Sequence, residues 1–255
     1  MVSQVSRPPS VTSPGDAEQL ARLRHTCAHV LAMAVQTLFP ETKVTIGPCT
    51  ETGFYYDFDR ADPFTPEDLK QITKKMRRII GQNLPIIRET VERDDIRAEI
   101  EQLNEPYKLE ILDGIPPDEP ITRYYIGCPD PLPADAEPSL FNSPSADSNK
   151  TACWWDLCAG PHLSRTGDLH PKAFALESVA GAYWRGDEAQ PQLQRIYGTA
   201  WETPEQLKAY LTQKEEAKRR DHRKLGQILN LFSIQEAAGG GLVFWHPKGA
   251  RMRLL

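Results

Sequence analysis

Four side chains that can bind a metal or move a proton stand in two short motifs. His25 and His29 occur in the segment R-H-T-C-A-H, so on a helix both imidazoles would lie on one face. Cys158 and His162 are separated by Ala-Gly-Pro, which favours a tight turn over a helix interior. If the fold brings the two motifs together, three imidazoles and a thiol would surround one point, where they could hold a metal or activate a water molecule.

Each motif alone is weak support for a site. Two histidines at i and i+4 are more often found on an ordinary helix, and a cysteine four residues before a histidine is equally unspecific. Lys108 is by default a surface lysine, and packing within a sheet would explain Tyr56. The residues by themselves leave a catalytic site, a zinc site and ordinary packing open.

Periodicity predicts the elements that would carry these motifs. Apolar residues keep helical spacing over 17–38, with the two histidines on a neighbouring stripe, and Thr65 begins a second helix that continues to residue 80. The other predicted elements are strands 43–50, 53–59, 84–92, 121–126, 151–157, 174–183 and 193–199, helix 94–103, a helix or turn at 107–112 and one long charged helix over 203–231.

Composition limits the class of protein. The chain has 255 residues, 40% hydrophobic and 25% charged, which is typical of a globular protein, and its net charge of −5 gives no global basic field for nucleic acid. Five cysteines, an odd number, favour thiols over disulfides and with them a cytoplasmic location. No apolar run is long enough to span a membrane. Residues 1–16 are predicted to be a disordered leader and 128–150 a surface insertion.

Three longer sequence segments occur in order along the chain together with the two motifs: I-G-P-C-T-E-T-G-F-Y-Y-D-F, E-S-V-A-G-A-Y-W-R-G-D and L-Q-R-I-Y-G-T-A-W. Together with both motifs they resemble the editing region of bacterial threonyl-tRNA synthetase, from about Ala21 to the C-terminus. The resemblance implies an α+β fold with an antiparallel sheet packed against helices. It divides the chain into an editing domain at 17–202, a linker helix at 203–231 and the start of a truncated class II catalytic domain at 232–255.

The resemblance also implies a reaction and the residues that perform it. A threonine site cannot exclude the smaller serine, because one methyl group is worth only about 1–3 kcal/mol, so a second site must hydrolyse mischarged seryl-tRNA(Thr). The residues implied in catalysis are His25, His29, Lys108, Cys158 and His162. Those implied in substrate binding are Tyr56, Asp156 and the backbone at Gly47, although outside the resemblance Asp156 could be an edge-strand charge and Gly47 part of a turn.

The resemblance predicts no cofactor for editing. The alternative is a zinc ion on His25, His29, Cys158 and His162, while ATP and another zinc ion would belong to the absent catalytic domain. The expected partner is the acceptor end of tRNA(Thr) carrying serine, with no membrane involved, and the full-length parent would be a homodimer. Two other functions stay open: a free-standing trans-editing deacylase, which would not need residues 239–255, and a non-catalytic tRNA-binding module, which would not need Lys108 and Asp156.

Overall fold

The computed structural model describes residues 14–127, 153–235 and 241–254. The predicted insertion at 128–150 therefore lies outside the described residues. Of the predicted leader, residues 14–16 are described and are the first residues of helix α1. The chain divides into two compact units, with the boundary between Leu207 and Lys208. No helix of the described ranges combines the length and hydropathy needed to cross a membrane.

A four-stranded antiparallel sheet forms one half of the larger unit, in the order β1–β2–β7–β6. Its strands are β1 (Lys43–Val44), β2 (Phe54–Asp59), β6 (Phe174–Tyr183) and β7 (Gln192–Ala200). Helix α1 (Pro14–Leu38) packs against β2 and β7. Its apolar residues at helical spacing are buried, among them Leu23, Cys27, Val30, Leu31, Ala34 and Val35, so the predicted core stripe of this helix is confirmed.

A second antiparallel sheet of three strands, in the order β3–β4–β5, completes the larger unit together with three helices. The strands are β3 (Ile86–Val91), β4 (Ile121–Ile126) and β5 (Trp154–Leu157). The helices are α2 (Pro66–Gly81), α3 (Arg93–Gln102) and α4 (Pro106–Gly114). Thr65 caps α2 through a reciprocal hydrogen-bond pair with Asp68, which fixes its start where the sequence predicts it.

The predicted single helix over 203–231 is wrong. Helix α5 (Pro204–Arg219) ends early, and a second helix, α6 (His222–Ile228), follows it. Asp221 separates them because its carboxylate accepts a hydrogen bond from the Arg223 N–H at 2.9 Å, the arrangement by which aspartate begins a helix. The unit that begins at Lys208 also contains strands β8 (Phe232–Ile234) and β9 (Val243–Trp245), paired as a hairpin, and helix α7 (Pro247–Arg253).

The fold class predicted from the sequence is confirmed as α+β with antiparallel sheets, although the larger unit contains two sheets and not one. The strand predicted at 43–50 is shorter than expected. Beyond Val44 only isolated backbone bonds follow, such as that from Thr45 N–H to the Asp57 carbonyl at 3.2 Å. The expectation of free thiols fails at Cys153, which is disulfide-bonded, whereas Cys27 and Cys158 are free.

Candidate active site

The two sequence motifs meet at one point. One donor atom from each of His25, His29, Cys158 and His162, hereafter the quartet, lies within 4.8 Å of the other three. The Cys158 sulfur is 3.4 Å from Nε2 of both His25 and His162. The ring centroids of His25 and His29 lie 4.1 and 4.2 Å from that of His162. Helix α1 therefore presents two imidazoles to the turn that follows β5, as the spacing of the motifs requires.

Two local features hold this turn against α1. Thr26 accepts a hydrogen bond from the Leu163 N–H at 2.9 Å, and its hydroxyl lies 3.4 Å from Nδ1 of His162. Gly160 has φ +76°, a conformation that favours glycine, and its N–H donates to the Cys158 sulfur at 3.2 Å. Sequence reasoning missed Thr26, since a threonine between two histidines gives no signal of a contact with a distant turn.

A second group of residues, hereafter the buried layer, consists of Tyr56, Lys108 and Asp156. Their exposed fractions are 0%, 4% and 3%, so all three are closed off from solvent. The Tyr56 hydroxyl donates to Asp156 Oδ2 at 2.6 Å, and the Lys108 ammonium pairs with the same carboxylate. Lys108 also donates to the Thr45 carbonyl at 2.6 Å. The buried layer thus joins residues of β2, α4 and β5 through one shared carboxylate.

His29 connects the quartet with the buried layer. Its exposed fraction is 2%, and its Nε2 atom lies 3.6 Å from Asp156 Oδ2. Its ring also packs edge-on against Trp154, with centroids 5.5 Å apart. By contrast, His25, Cys158 and His162 are partly exposed. The predicted site residues therefore come together, but in two layers, with the partly exposed imidazoles and thiol in front of a buried ionic cluster.

Gly47 lies directly against this cluster. A Cβ atom placed on Gly47 would be 2.1 Å from Cδ2 of the Tyr56 ring, a separation that no side chain tolerates. The segment that connects β1 and β2 can therefore approach Tyr56 closely only because residue 47 has no side chain. Gly47 thus lies beside Tyr56, and a role of its backbone in substrate binding stays a prediction.

Burial keeps the quartet uncharged at neutral pH. Loss of hydration lowers the pKa of all three histidines, and the pKa of His29 is lowered further by the repulsion that a protonated His25 would exert and by the Lys108 ammonium. Loss of hydration, followed by the charge of Asp156, raises the pKa of Cys158 to about 12. The site therefore presents neutral imidazoles, which can accept a proton from water, beside a thiol that is not a thiolate.

The same donor atoms fit a zinc ion. A tetrahedral zinc ion with bonds of about 2.0–2.3 Å holds its ligands roughly 3.3–3.7 Å apart. The two sulfur–nitrogen distances of 3.4 Å agree with that spacing, whereas the four donor atoms as a set are spread over 4.8 Å and would have to move closer together. Supporting contacts of the usual kind are also present, because His25 hydrogen-bonds the Pro161 backbone and His29 lies beside Asp156. The quartet could therefore hold zinc, and with all four side chains as ligands such an ion would be structural, because a tetrahedral site of that kind leaves no position for a water.

Known proteins match the sequence of this chain. Residues 146–197 match the family described as the threonyl and alanyl tRNA synthetase second additional domain. The threonine–tRNA ligase, chloroplastic/mitochondrial 2, of Arabidopsis thaliana is 58% identical over 250 residues, covering 97% of this chain and 34% of that protein. The chain is related to one region of the threonine–tRNA ligases.

Bacterial relatives give the same result. A threonine–tRNA ligase of Synechococcus is 59% identical over 240 residues, covering 94% of this chain and 35% of the relative. That of Synechocystis is 54% identical over 257 aligned positions, covering 100% of this chain and 38% of the relative. The chain thus spans about a third of the length of these relatives. The resemblance to the editing region of threonyl-tRNA synthetase, predicted from the sequence, is confirmed.

Proposed function

We propose that this chain is the editing part of a threonine–tRNA ligase and hydrolyses the ester of mischarged seryl-tRNA(Thr). The meeting of the quartet with the Lys108–Asp156 pair carries this proposal, since it gathers proton acceptors and a fixed cation at one place. The domain shared with threonyl and alanyl tRNA synthetases supports it. The full-length parent would be a cytoplasmic homodimer that attaches threonine to tRNA using ATP.

Hydrolysis of the ester needs an oriented water, a proton acceptor and stabilisation of the developing oxyanion. In the proposed reaction His25 and His29 hold the water, and His25, which is partly exposed, accepts its proton. The water oxygen attacks the ester carbonyl carbon, and the Lys108 ammonium positions the water or stabilises the negative oxygen that forms. The bond to the ribose oxygen of the terminal adenosine then breaks, and that oxygen takes the proton from His25.

The remaining residues shape the pocket. Tyr56 and Asp156 form its floor, where their mutual hydrogen bond fixes the groups that meet the serine amine or hydroxyl. Cys158 and His162 form the opposite wall and contact the terminal adenosine, and the Gly47 backbone approaches from the segment between β1 and β2. A pocket floored by such a rigid pair would admit serine and leave no space for the extra methyl group of threonine.

Deacylation assays with the 255-residue chain test this proposal. Seryl-tRNA(Thr) should be hydrolysed and threonyl-tRNA(Thr) spared. The His25→Ala variant should lose at least about a hundredfold in rate, the size typical of a lost acid–base group. His222→Ala is the matched control because its imidazole is exposed and pairs only distantly with Asp221. Binding of tRNA without hydrolysis would instead indicate a non-catalytic binding module.

We further propose that editing by this chain needs no bound metal. Metal analysis of the purified, tag-free protein tests this directly, and hydrolysis should persist after dialysis against a chelator. Stoichiometric zinc whose removal abolishes hydrolysis would overturn the metal-free reaction and assign the quartet to zinc. The His162→Ala variant shows whether the quartet holds such an ion, because the loss of one ligand should weaken zinc binding only if the zinc is bound there.

A further inference from the structure

A second acidic residue, Glu105, is buried beside the site and has no part in the reaction described above. It precedes α4, one turn before Lys108, and its exposed fraction is 6%. It occupies the position from which side chains often cap a helix, yet its carboxylate makes no capping bond. It accepts hydrogen bonds instead from Gln36 Nε2 at 2.8 Å and from the Val44 N–H at 3.3 Å.

Gln36 extends the contacts of Glu105 toward the site, because its side chain also bonds to Trp154. The side-chain oxygen of Gln36, Oε1, accepts a hydrogen bond from the Trp154 indole N–H at 2.7 Å. The side-chain nitrogen of Gln36, Nε2, also donates to the Thr42 carbonyl at 3.3 Å. The Trp154 ring then packs on His29. Gln36 is therefore held between an indole donor and a carboxylate acceptor, and a continuous chain of contacts links Glu105 to an imidazole of the quartet.

Glu105 also contacts, directly or through one neighbour, three further elements that carry or adjoin site residues, namely α1, β1 and β5. Gln36 lies on α1 two turns beyond His29, and Trp154 lies on β5 two residues before Asp156, on the same face of that strand. The Val44 N–H belongs to β1, and the Thr45 carbonyl, which follows in the same segment, accepts from Lys108. Two side chains of one helical turn thus bind two peptide groups just before Gly47, that between residues 43 and 44 and that between residues 45 and 46.

We propose that Glu105 is a positioning residue for hydrolysis, acting through Gln36 and Trp154 on His29 and through β1 on Gly47 and Lys108. The inference rests on the proposed editing function. A buried carboxylate has lost its contacts with water, and without hydrogen-bond donors nothing would replace them. Its hydrogen bonds are therefore strongly favoured, and they hold the donor groups in place. Burial also raises the pKa of Glu105 to about 7, against the opposing charges of Lys108 and Lys43.

The Glu105→Gln variant tests the proposal in the 255-residue chain. A glutamine offers one acceptor oxygen to two donors, Gln36 Nε2 and the Val44 N–H, so one of the two bonds is lost. The rate constant kcat for seryl-tRNA(Thr) hydrolysis should fall about tenfold while KM stays within about twofold, because alignment and not binding is disturbed. An unchanged kcat in a folded variant would overturn the proposal.

Glu99→Gln is the matched control. Glu99 is also a largely buried acid, and it pairs with Arg123 in the second sheet. Its neutralisation removes a buried charge without touching the chain from Glu105 to His29, so kcat should stay within about twofold. An equal fall of kcat in both variants would show a general effect of destabilisation and contradict a positioning role for Glu105.

Exchanging the two partners gives a rescue test, the double variant Gln36→Glu with Glu105→Gln. The amide introduced at position 105 can donate to the carboxylate introduced at position 36, while its oxygen accepts from the Val44 N–H. The new carboxylate can also accept from the Trp154 indole, whereas the bond to the Thr42 carbonyl is lost and that oxygen then faces another acceptor. We expect kcat to recover to within about threefold of the wild type. If Glu105→Gln alone does not fold, a folded but inactive exchange variant would overturn the proposal.

A nuclear magnetic resonance measurement separates this inference from the proposed function. The side-chain nitrogen signals of His29 should shift in Glu105→Gln and stay in place in Glu99→Gln. If the wild-type chain fails to hydrolyse seryl-tRNA(Thr), the editing proposal fails, while the shift would still support the positioning of His29 by Glu105. Unmoved His29 signals in both variants would refute the positioning even in an active protein.

Discussion

Two ion pairs, each with a buried aspartate, lie on opposite sides of strand β2 and are built differently. Asp57 is paired with Arg195, its register partner on β7, and both carboxylate oxygens accept from the one guanidinium at 2.7 and 2.8 Å. Asp156 is shared by Lys108, by Tyr56 and, at 3.6 Å, by His29. Tyr56 and Asp57 are consecutive, so strand geometry sends one toward each pair.

The Asp57 pair is self-contained, whereas the Asp156 pair is part of a network. A bidentate contact between two neighbouring strands satisfies both charges and ties β2 to β7. The carboxylate of Asp156 instead brings together residues of α1, β2 and α4, none of which is paired with β5 in a sheet. Apolar side chains could join these elements with similar stability, because buried charges lose their hydration. The presence of a charge cluster here therefore favours a functional role over a purely structural one.

The sharpest test of this contrast removes the whole Asp156 pair. The double variant Lys108→Met with Asp156→Asn eliminates both charges, so no uncompensated charge remains in the interior and the protein should fold with little loss of stability. Hydrolysis of seryl-tRNA(Thr) should fall at least about a hundredfold, since the cation proposed to stabilise the oxyanion is gone. Circular dichroism checks that the double variant folds, and deacylation rates measure the loss of hydrolysis. A folded variant that keeps more than a tenth of the wild-type rate would contradict the proposed role of the pair.

The corresponding change on the other side of β2 should have the opposite result. Arg195→Met leaves the buried Asp57 carboxylate, 2% exposed, without its partner, and should lower the free energy of unfolding by on the order of 2–3 kcal/mol. The rate of hydrolysis per folded molecule should not change. Urea denaturation measures the stability, and adding Asp57→Asn should restore most of it. A specific loss of hydrolysis would mean that this pair also serves the site.

The contrast also explains how much of the site could be predicted from the sequence. The quartet was predictable because each half is local: one helical turn separates His25 and His29, and a glycine–proline turn joins Cys158 and His162. The members of the buried layer were identified only through the resemblance to a family. Gln36 was missed because its partners lie 69 and 118 residues away in the chain, so no local pattern indicates them.

The same distinction holds for the fold. The start of α2 was predicted within one residue because Thr65 and Asp68 form a cap from neighbouring residues. The helix predicted over 203–231 failed because the helix-favouring charges around Asp221 concealed its capping role. The division of the strands into two sheets depends on pairing between distant segments, such as β2 with β7, and no local signal in the sequence determines it.

A pH titration of stability extends the comparison to Glu105, on the Asp156 side. Its folded pKa of about 7 lies above the ordinary value of 4.5, so the folded state binds more protons between these values. Stability should therefore be greatest at low pH in this window and fall as pH rises from about 4.5 to 7, by at most on the order of 3 kcal/mol.

The charged groups that face Glu105 are Lys108 on α4 and Lys43 on β1, and both oppose this shift. In the Glu105→Gln variant this fall in the free energy of unfolding between about pH 4.5 and 7 should disappear. The difference in unfolding free energy between the variant and the wild type should therefore change over this pH range. Urea denaturation at closely spaced pH values measures it. Parallel curves for the two proteins would mean that Glu105 keeps an ordinary pKa when the protein is folded.

The smallest effect is expected when one methyl group is added beside Tyr56, on the Asp156 side of β2. Gly47→Ala would place a Cβ atom 2.1 Å from the Tyr56 ring, which must move away from it. Since Tyr56 donates to Asp156, the change should weaken that bond, lower hydrolysis severalfold and reduce stability by about 1–3 kcal/mol, the usual cost of overpacking. Gly81→Ala at the end of α2 meets no atom within 4 Å and is the matched control, with no loss of either property. If Gly47→Ala destabilises the protein but leaves hydrolysis intact, Tyr56 supports the sheet and not the site, and the Asp156 network would end at Lys108 and His29.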